Sequence, residues 1–190
     1  MLGSGILLCY LAATLKQLWH AQNSMTDKVL NILVLCTGNS CRSILAEAML
    51  NELGKDRIQA FSAGSNPAGT PNPNAISLLK RQGIDTEFAR SKSWDEFTAE
   101  NSPPLDLIIT VCDNAANETC PIWNGAPITV HWGIPDPADV VEPQEAVTAA
   151  FQKTWQQLEQ RITRFLNLPL ETMRPQELQE AMDKIGAECQ

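Results

Sequence analysis

Short apolar runs alternate along most of this chain with segments of helical periodicity. A continuous apolar run, as at 31–35, is typical of a strand buried on both faces of a sheet. Apolar side chains that recur every three or four positions, as at 43–53, indicate an amphipathic helix. We therefore predict strands at 31–35, 58–63, 105–111 and 128–131, and helices at 43–53, 73–82, 142–168 and 175–185.

This alternation of strands and helices predicts an α/β fold, with a parallel sheet, right-handed crossovers and helices on both faces. Ligands of such sheets bind beyond the carboxyl ends of the strands. Cys36, Cys112 and the loop that contains Asp136 each follow a predicted strand. We therefore expect these three distant stretches to meet at one edge of the sheet.

The domain boundaries follow from the same pattern. Residues 26–168 are predicted to form one domain, with 1–25 as an N-terminal extension and 169–190 as a C-terminal helical extension. Residues 5–15 are apolar, but they are too few to span a bilayer and no Lys or Arg precedes them. We favour Met25 as the true start or a loose accessory helix, and a membrane or export segment stays as the alternative.

Composition narrows the range of partners and the cellular compartment. The formal net charge of −8 argues against nucleic acid or an anionic membrane as the main partner. The chain is too large and too rich in core residues to need a disulfide framework, so we expect reduced thiols and a cytoplasmic location. Nothing in the sequence demands an oligomer, so we expect a monomer. The six cysteines are Cys9, Cys36, Cys41, Cys112, Cys120 and Cys189.

The stretch CTGNSCRS carries the chemistry, because it closes an apolar strand and opens a helix. A loop of this length can turn successive N–H groups inward and form an anion site at the helix N-terminus. The guanidinium of Arg42 can hold two oxygens of a tetrahedral oxyanion. Such a field lowers the pKa of a thiol, so we expect Cys36 to be a nucleophilic thiolate supported by Ser43. The predicted oxyanion-binding residues are Thr37, Gly38, Asn39, Ser40, Cys41, Arg42 and Ser43.

Three motifs in this order resemble the low-molecular-weight protein tyrosine phosphatase family, which includes the thioredoxin-coupled arsenate reductases. They are CTGNSCRS at 36–43, FSAG at 61–64 and the Asp-Pro at 136–137. The resemblance implies a four-stranded parallel sheet of order 2-1-3-4. It further implies that Cys36 is the nucleophile, Arg42 the oxyanion clamp and Asp136 the general acid.

Two features distant from the loop favour the reductase branch. The phosphatases usually carry aromatic residues after the Asp-Pro, whereas here Ala138 follows. Cys112 and Cys120 resemble the two further thiols that relay oxidation outward in the reductases, with thioredoxin or glutathione/glutaredoxin as the external reductant. Arsenate is then the substrate, with phosphate or sulfate as competing oxyanions. A tyrosine phosphatase and a non-catalytic oxyanion or redox-sensing module remain the alternatives.

Asn39, Glu47, Ser62 and Asp95 resemble positions that hold a potassium ion in some of these reductases. The alternative is that they make only helix-capping and polar loop contacts. For Cys41 we favour a role as a small filler of the loop over oxidative pairing with Cys36. No role is assigned to Cys9 or Cys189.

Overall fold

The computed structural model describes residues 29–98, 102–117, 121–125 and 127–189. Its strands are β1 (Leu30–Cys36), β2 (Ile58–Gly64), β3 (Leu107–Thr110) and β4 (Ile128–His131). Its helices are α1 (Arg42–Gly54), α2 (Pro73–Arg81), α3 (Asp113–Asn117), α4 (Gln144–Leu166) and α5 (Pro175–Glu188). Short 3-10 helices lie at Lys55–Arg57, Trp94–Phe97 and Pro137–Asp139. Within these described ranges, no helix is long and apolar enough to cross a membrane.

The four strands form one parallel sheet of order β2-β1-β3-β4, which confirms the predicted fold class and strand order. β1 pairs with β2 along its whole length, up to Cys36 opposite Gly64. β3 is shorter than the predicted strand at 105–111, because the N–H of Leu105 donates to the carbonyl of Asn124 at 2.8 Å instead of to a strand. Asn124 thereby ties the loop before β4 to the start of β3.

The sheet divides the apolar interior into two unequal parts. Side chains of a strand alternate between the two faces, so Ile32 and Val34 join a large core with the described α-helices. Leu33 and Leu35 face a smaller cluster, which is covered by the 3-10 helix Trp94–Phe97. Helical segments therefore cover both faces, but the long helices all lie on the face of the larger core.

The last helix, α5, packs beside β4. The indole Nε1 of buried Trp132 donates to the carbonyl of Met182 at 3.1 Å. Met182 and Ile185 lie in the same large core as β1 and α1. The helix predicted at 175–185 thus extends three residues further, to Glu188, and covers the edge of the sheet at β4.

Candidate active site

The loop between β1 and α1 turns its carbonyl groups outward. The carbonyls of Thr37, Gly38 and Ser40 each accept a hydrogen bond from a backbone N–H of the segment 66–72, at 2.9 to 3.0 Å. In a trans peptide the N–H points away from the carbonyl of the same plane. The N–H groups that share these three planes therefore point into the loop, as an anion site requires.

Gly64, the last residue of β2, lets the loop approach the sheet. A Cβ at this position would lie 2.3 Å from the carbonyl oxygen of Thr37 and 3.0 Å from the amide nitrogen of Asn39. Only a residue without a side chain fits under such a backbone. The sequence contributed FSAG as a family motif, and the structure adds the steric reason for its glycine.

The sulfur of Cys36 lies at the centre of the loop, and the residue is only 4% exposed. The N–H of Asn39 donates to it at 3.1 Å, and the hydroxyl of Ser43 lies 3.0 Å away. Burial raises the pKa of the Cys36 thiol; the Ser43 hydrogen bond lowers it, the neighbouring Cys112 raises it, and the Arg42 charge lowers it. The expectation of a lowered pKa is therefore reversed, because desolvation outweighs the hydrogen bond and the charge.

Asn39 connects the nucleophile to a buried polar cluster. Its backbone adopts a left-handed φ of 41°, which asparagine tolerates better than most residues. Its Nδ2 donates to the hydroxyl of Ser43 at 2.9 Å and to the hydroxyl of Ser62 at 2.8 Å. Since the Ser43 oxygen accepts from Asn39, the hydroxyl proton of Ser43 is free to point at Cys36.

The side chain of Arg42, the first residue of α1, is held by the segment that follows β4. Its Nη1 donates to the carbonyl of Ile134 at 2.8 Å, and its Nη2 forms an ion pair with the carboxylate of Asp136. Its Nε is buried and has no hydrogen-bond partner among the described residues. Asp136 also accepts from the N–H of Ala138 at 3.0 Å, which fixes the carboxylate beside the guanidinium.

Cys112 follows β3 and lies against the same loop. The residue is 5% exposed, and its sulfur is 3.7 Å from the hydroxyl of Thr37, the neighbour of Cys36 in the chain. The N–H of Ala115 in α3 approaches the Cys112 sulfur at 3.4 Å. The structure therefore brings Cys36, Arg42, Asp136 and Cys112 to one edge of the sheet. Cys120 lies outside the described residues.

Three of the four residues compared with a potassium site lie together, and one lies apart. Ser62 donates to Glu47 at 2.5 Å and accepts from Asn39, all three being buried. Asp95 is exposed, and its carboxylate accepts from the hydroxyl of Ser93 instead. The ammonium of Lys92 lies on this cluster, so the four predicted ligands do not form one set.

The remaining cysteines of the described part are free thiols. Cys41 is 3% exposed, and burial raises its pKa to about 11, as suits a thiol that fills space in the loop. Cys189 is buried near the end of α5, where Nη1 of Arg164 approaches its sulfur at 3.2 Å. Cys9 lies outside the described residues.

Two groups of contacts around the site escaped the sequence reasoning. The segment 66–72 and Ser91 bind the carbonyls of the loop from outside, with Ser91 Oγ 3.1 Å from the carbonyl of Gly38. Lys92 binds the polar cluster below the loop. One feature of the sequence could have indicated that Lys92 is buried: it stands between two serines, just before the apolar residue Trp94. Lysine is seldom fully buried unless it is paired, so this feature alone did not predict the contact.

A cavity of about 990 Å³ opens beside Arg42, Cys112 and Asp136. Among the described residues its lining includes no Phe, Tyr or Trp, and the imidazole of His131 is the one aromatic ring in that lining. The other lining residues are Asp113, Asn114, His131, Gly133, Ile134, Pro135, Asp139, Lys153, Gln157, Asp183, Gly186 and Ala187.

Comparison with known sequences places the fold and the loop in one family. The sequence model of the family "low molecular weight phosphotyrosine protein phosphatase" matches residues 31–183. This match covers both the Cys36 loop and the Asp136 turn. The chain belongs to the low molecular weight phosphotyrosine protein phosphatase family.

Among its relatives, an arsenate reductase of Bacillus licheniformis is 37% identical over 134 residues, which are 70% of this chain and 93% of that protein. An arsenate reductase structure from Archaeoglobus fulgidus is 25% identical with a TM-score of 0.57, covering 72% of this chain and 99% of the other. A tyrosine phosphatase of Erwinia amylovora shares the fold at 23% identity, with a TM-score of 0.53 and coverage of 74% and 95%. The fold alone therefore does not separate reductase from phosphatase.

Proposed function

We propose that this protein is an arsenate reductase, in which Cys36 attacks arsenate and Cys112 completes the reduction. The observation that carries the proposal is the second buried thiol, Cys112, which lies against the loop of the first. Hydrolysis of a phosphoester does not require a second thiol. The arsenate reductase relatives and the cavity, whose described lining has no Phe, Tyr or Trp, support the same choice.

The first step forms the arsenic–sulfur bond. Arsenate binds to the inward N–H groups of the loop and to the guanidinium of Arg42. The thiolate of Cys36 attacks arsenic, and one arsenate oxygen leaves as water. As arsenate takes the place of Asp136 on the guanidinium, the Asp136 carboxylate takes up a proton from water and supplies it to that oxygen. Arsenic is still pentavalent in the resulting Cys36 adduct.

The second step transfers two electrons. The thiolate of Cys112 attacks the sulfur of Cys36, the sulfur–arsenic bond breaks, and its electron pair remains on arsenic. Arsenite leaves, and a Cys36–Cys112 disulfide remains. The contact of Cys112 with Thr37 holds the second sulfur close to the first before the reaction begins.

The third step returns the enzyme to its reduced form. Cys120 attacks Cys112, which frees Cys36 and leaves a Cys112–Cys120 disulfide. An external dithiol, of the thioredoxin type or glutathione with glutaredoxin, reduces that disulfide by thiol–disulfide exchange. This chemistry needs a compartment that keeps thiols reduced, so we place the protein in the cytoplasm.

The decisive experiment compares Cys112→Ser with Cys189→Ser in arsenate-dependent NADPH oxidation, coupled first to thioredoxin with its reductase and then to glutathione with glutaredoxin. We expect Cys112→Ser to lose multiple turnover but to keep arsenate protection of Cys36 against alkylation. Cys189→Ser removes a buried thiol directly after α5 and is expected to retain wild-type turnover. Full multiple turnover in Cys112→Ser would contradict the proposed thiol relay.

The same samples test the phosphatase alternative. Hydrolysis of p-nitrophenyl phosphate uses the loop, Arg42 and Asp136 but needs no second thiol. We expect slow hydrolysis, equal in wild type and Cys112→Ser. Fast hydrolysis without arsenate turnover would instead identify a phosphatase.

A further inference from the structure

A buried lysine lies beneath the nucleophile loop. Lys92 is 6% exposed, and its Nζ lies 3.2 Å from a carboxylate oxygen of Glu47 and 3.4 Å from the hydroxyl of Ser62. Glu47 is itself only 5% exposed. Breaking a buried ion pair leaves an uncompensated charge, so each partner constrains the other strongly.

This ion pair is the far end of a hydrogen-bond chain that reaches Cys36. Ser62 donates to Glu47, and its oxygen accepts from the amide of Asn39. The same amide donates to Ser43, whose hydroxyl lies 3.0 Å from the Cys36 sulfur. The donors in this chain are fixed, because the carboxylate of Glu47 only accepts and the amide nitrogen of Asn39 only donates.

The main chain of Lys92 fixes the orientation of Asn39 as well. Its N–H donates to the Oδ1 of Asn39 at 2.8 Å, so the NH₂ group of the amide must face the two serines. The carbonyl of Lys92 accepts from the N–H of Gly64 at 2.9 Å, which anchors this segment to the end of β2. One residue thus holds both the amide and the carboxylate of the chain.

We propose that the Lys92–Glu47 ion pair anchors the far end of the hydrogen-bond chain to Cys36, so that Lys92 is a positioning residue whose ammonium serves as a built-in cation. This deepens the proposed function, since it concerns the same nucleophile. Burial raises the pKa of Glu47, whereas the Lys92 ammonium, the hydrogen bonds from Ser62 and Lys92, and the Arg90 charge lower it. Without the ammonium, the buried carboxylate of Glu47 has no cation beside it, so Glu47, Ser62 and the Asn39 amide must rearrange to compensate its charge.

The test is Lys92→Ala, with the exposed Lys80→Ala as the matched control. Alkylation of Cys36 by iodoacetamide is followed by peptide mass spectrometry against pH, in choline chloride and in KCl at equal ionic strength. The other ionisable groups near Cys36 are Arg42, Cys112 and Cys41, with Asp136 behind Arg42. All four remain unchanged in both variants.

We expect Lys92→Ala to alkylate about tenfold more slowly near neutral pH in choline chloride, which corresponds to about one unit in the pH midpoint. KCl should restore most of the rate, because K⁺ can enter the space beside Glu47. Wild type and Lys80→Ala should not respond to KCl. Glu47→Gln/Lys92→Ala should not respond either, since its amide offers no charge to a cation.

The proposal would be overturned if Lys92→Ala were alkylated with the same pH profile as wild type. It would also be overturned if alkylation of this variant were slowed but KCl did not restore the rate. If Lys92→Ala folds too weakly to assay, its Tm replaces the rate: KCl should raise the Tm of this variant alone, and no such rise would count against the built-in cation. The alkylation rate measures the reactivity of the Cys36 thiol directly. Failure of arsenate turnover therefore leaves this proposal standing, and its own failure leaves arsenate reduction standing.

Discussion

The two sides of the site are built in opposite ways. The Cys36 loop is enclosed by backbone hydrogen bonds from 66–72 and by a buried polar chain through Asn39. On the other side, Cys112 directly precedes the five-residue helix α3, whose Asp113 and Asn114 are exposed on the cavity wall. The first side presents fixed donors to an oxyanion, and the second holds a buried thiol directly before a short helix with exposed residues.

This difference matches the two kinds of chemistry. Stabilising an oxyanion requires donors that do not reorganise during the reaction. Thiol–disulfide exchange requires one sulfur to meet first a partner inside the protein and then one outside it. Variants of the loop should therefore impair every reaction of Cys36, whereas variants near Cys112 should affect only the relay.

The largest effect is expected from Arg42→Ala. The guanidinium is the one cation that contacts Asp136 in the described structure, and it faces the cavity with its Nε unpaired. Its loss should lower kcat/KM for arsenate by about 10³-fold, and that for p-nitrophenyl phosphate by a similar factor. Steady-state kinetics with both substrates give the measurement.

Arg42→Lys is the matched control, because it keeps the charge but not the planar fork. It should recover only part of the loss. If Arg42→Ala stayed within a factor of about ten of wild type for both substrates, the oxyanion would have to be held by the backbone N–H groups alone.

Much of this loop could be predicted from the sequence, because each of its requirements falls on adjacent residues. Within seven positions of Cys36 the sequence has an apolar strand and then Gly38, Asn39 and Arg42. The chemistry of these neighbouring residues is enough to predict an anion-binding loop. The strand order and the role of Asp136 came from the family resemblance. The strand order is confirmed, whereas the role of Asp136 stays a prediction.

What the sequence could not supply depends on contacts between distant residues. Whether burial or hydrogen bonding dominates the pKa of Cys36 depends on how much of the sulfur is covered, which no local motif encodes. Lys92 is 53 positions from Asn39 along the chain, and its pairing with Glu47 spans 45. Asp95 matched a motif by position, but its local turn with Ser93 places it apart from the cluster.

The second prediction concerns Gly64, where the loop lies closest to the sheet. Gly64→Ala should destabilise the fold by about 3 kcal/mol, because the new Cβ would meet backbone atoms that cannot move independently. Urea unfolding measures the change. Gly69→Ala is the control: its φ is 83° but its Cβ would meet open space, so it should cost about 1 kcal/mol. Equal losses in the two variants would contradict the close contact.

The third prediction uses the pH dependence of Cys36. Since burial raises the pKa of this thiol, its alkylation should increase as pH rises above neutrality, when the thiolate forms. Ser43→Ala removes the hydrogen bond that lowers this pKa, so the midpoint should move to still higher pH. At a fixed pH below the midpoint, the rate should fall by about tenfold for a one-unit shift.

Ser77→Ala, an exposed serine of α2, serves as the control and should leave the profile unchanged. A midpoint that moved to lower pH in Ser43→Ala would show that the hydroxyl does not stabilise the thiolate. Arsenate turnover of the same variant should follow the alkylation rate, because both begin with the Cys36 sulfur.

The smallest effect is expected on the other side of the site, at His131. Its ring joins Thr110 of β3 to Asp113 of α3, with nitrogen–oxygen distances of 2.8 and 3.1 Å, next to Cys112. The ring is partly exposed, so this link contributes little stability, below about 1 kcal/mol. His131→Gln should loosen the start of α3 and change multiple turnover by no more than about threefold. Single-turnover formation of the arsenic adduct and alkylation of Cys36 should both keep their wild-type rates. A change in either would mean that the two sides of the site are mechanically coupled, and the separation between a fixed loop and an adaptable relay would then fail.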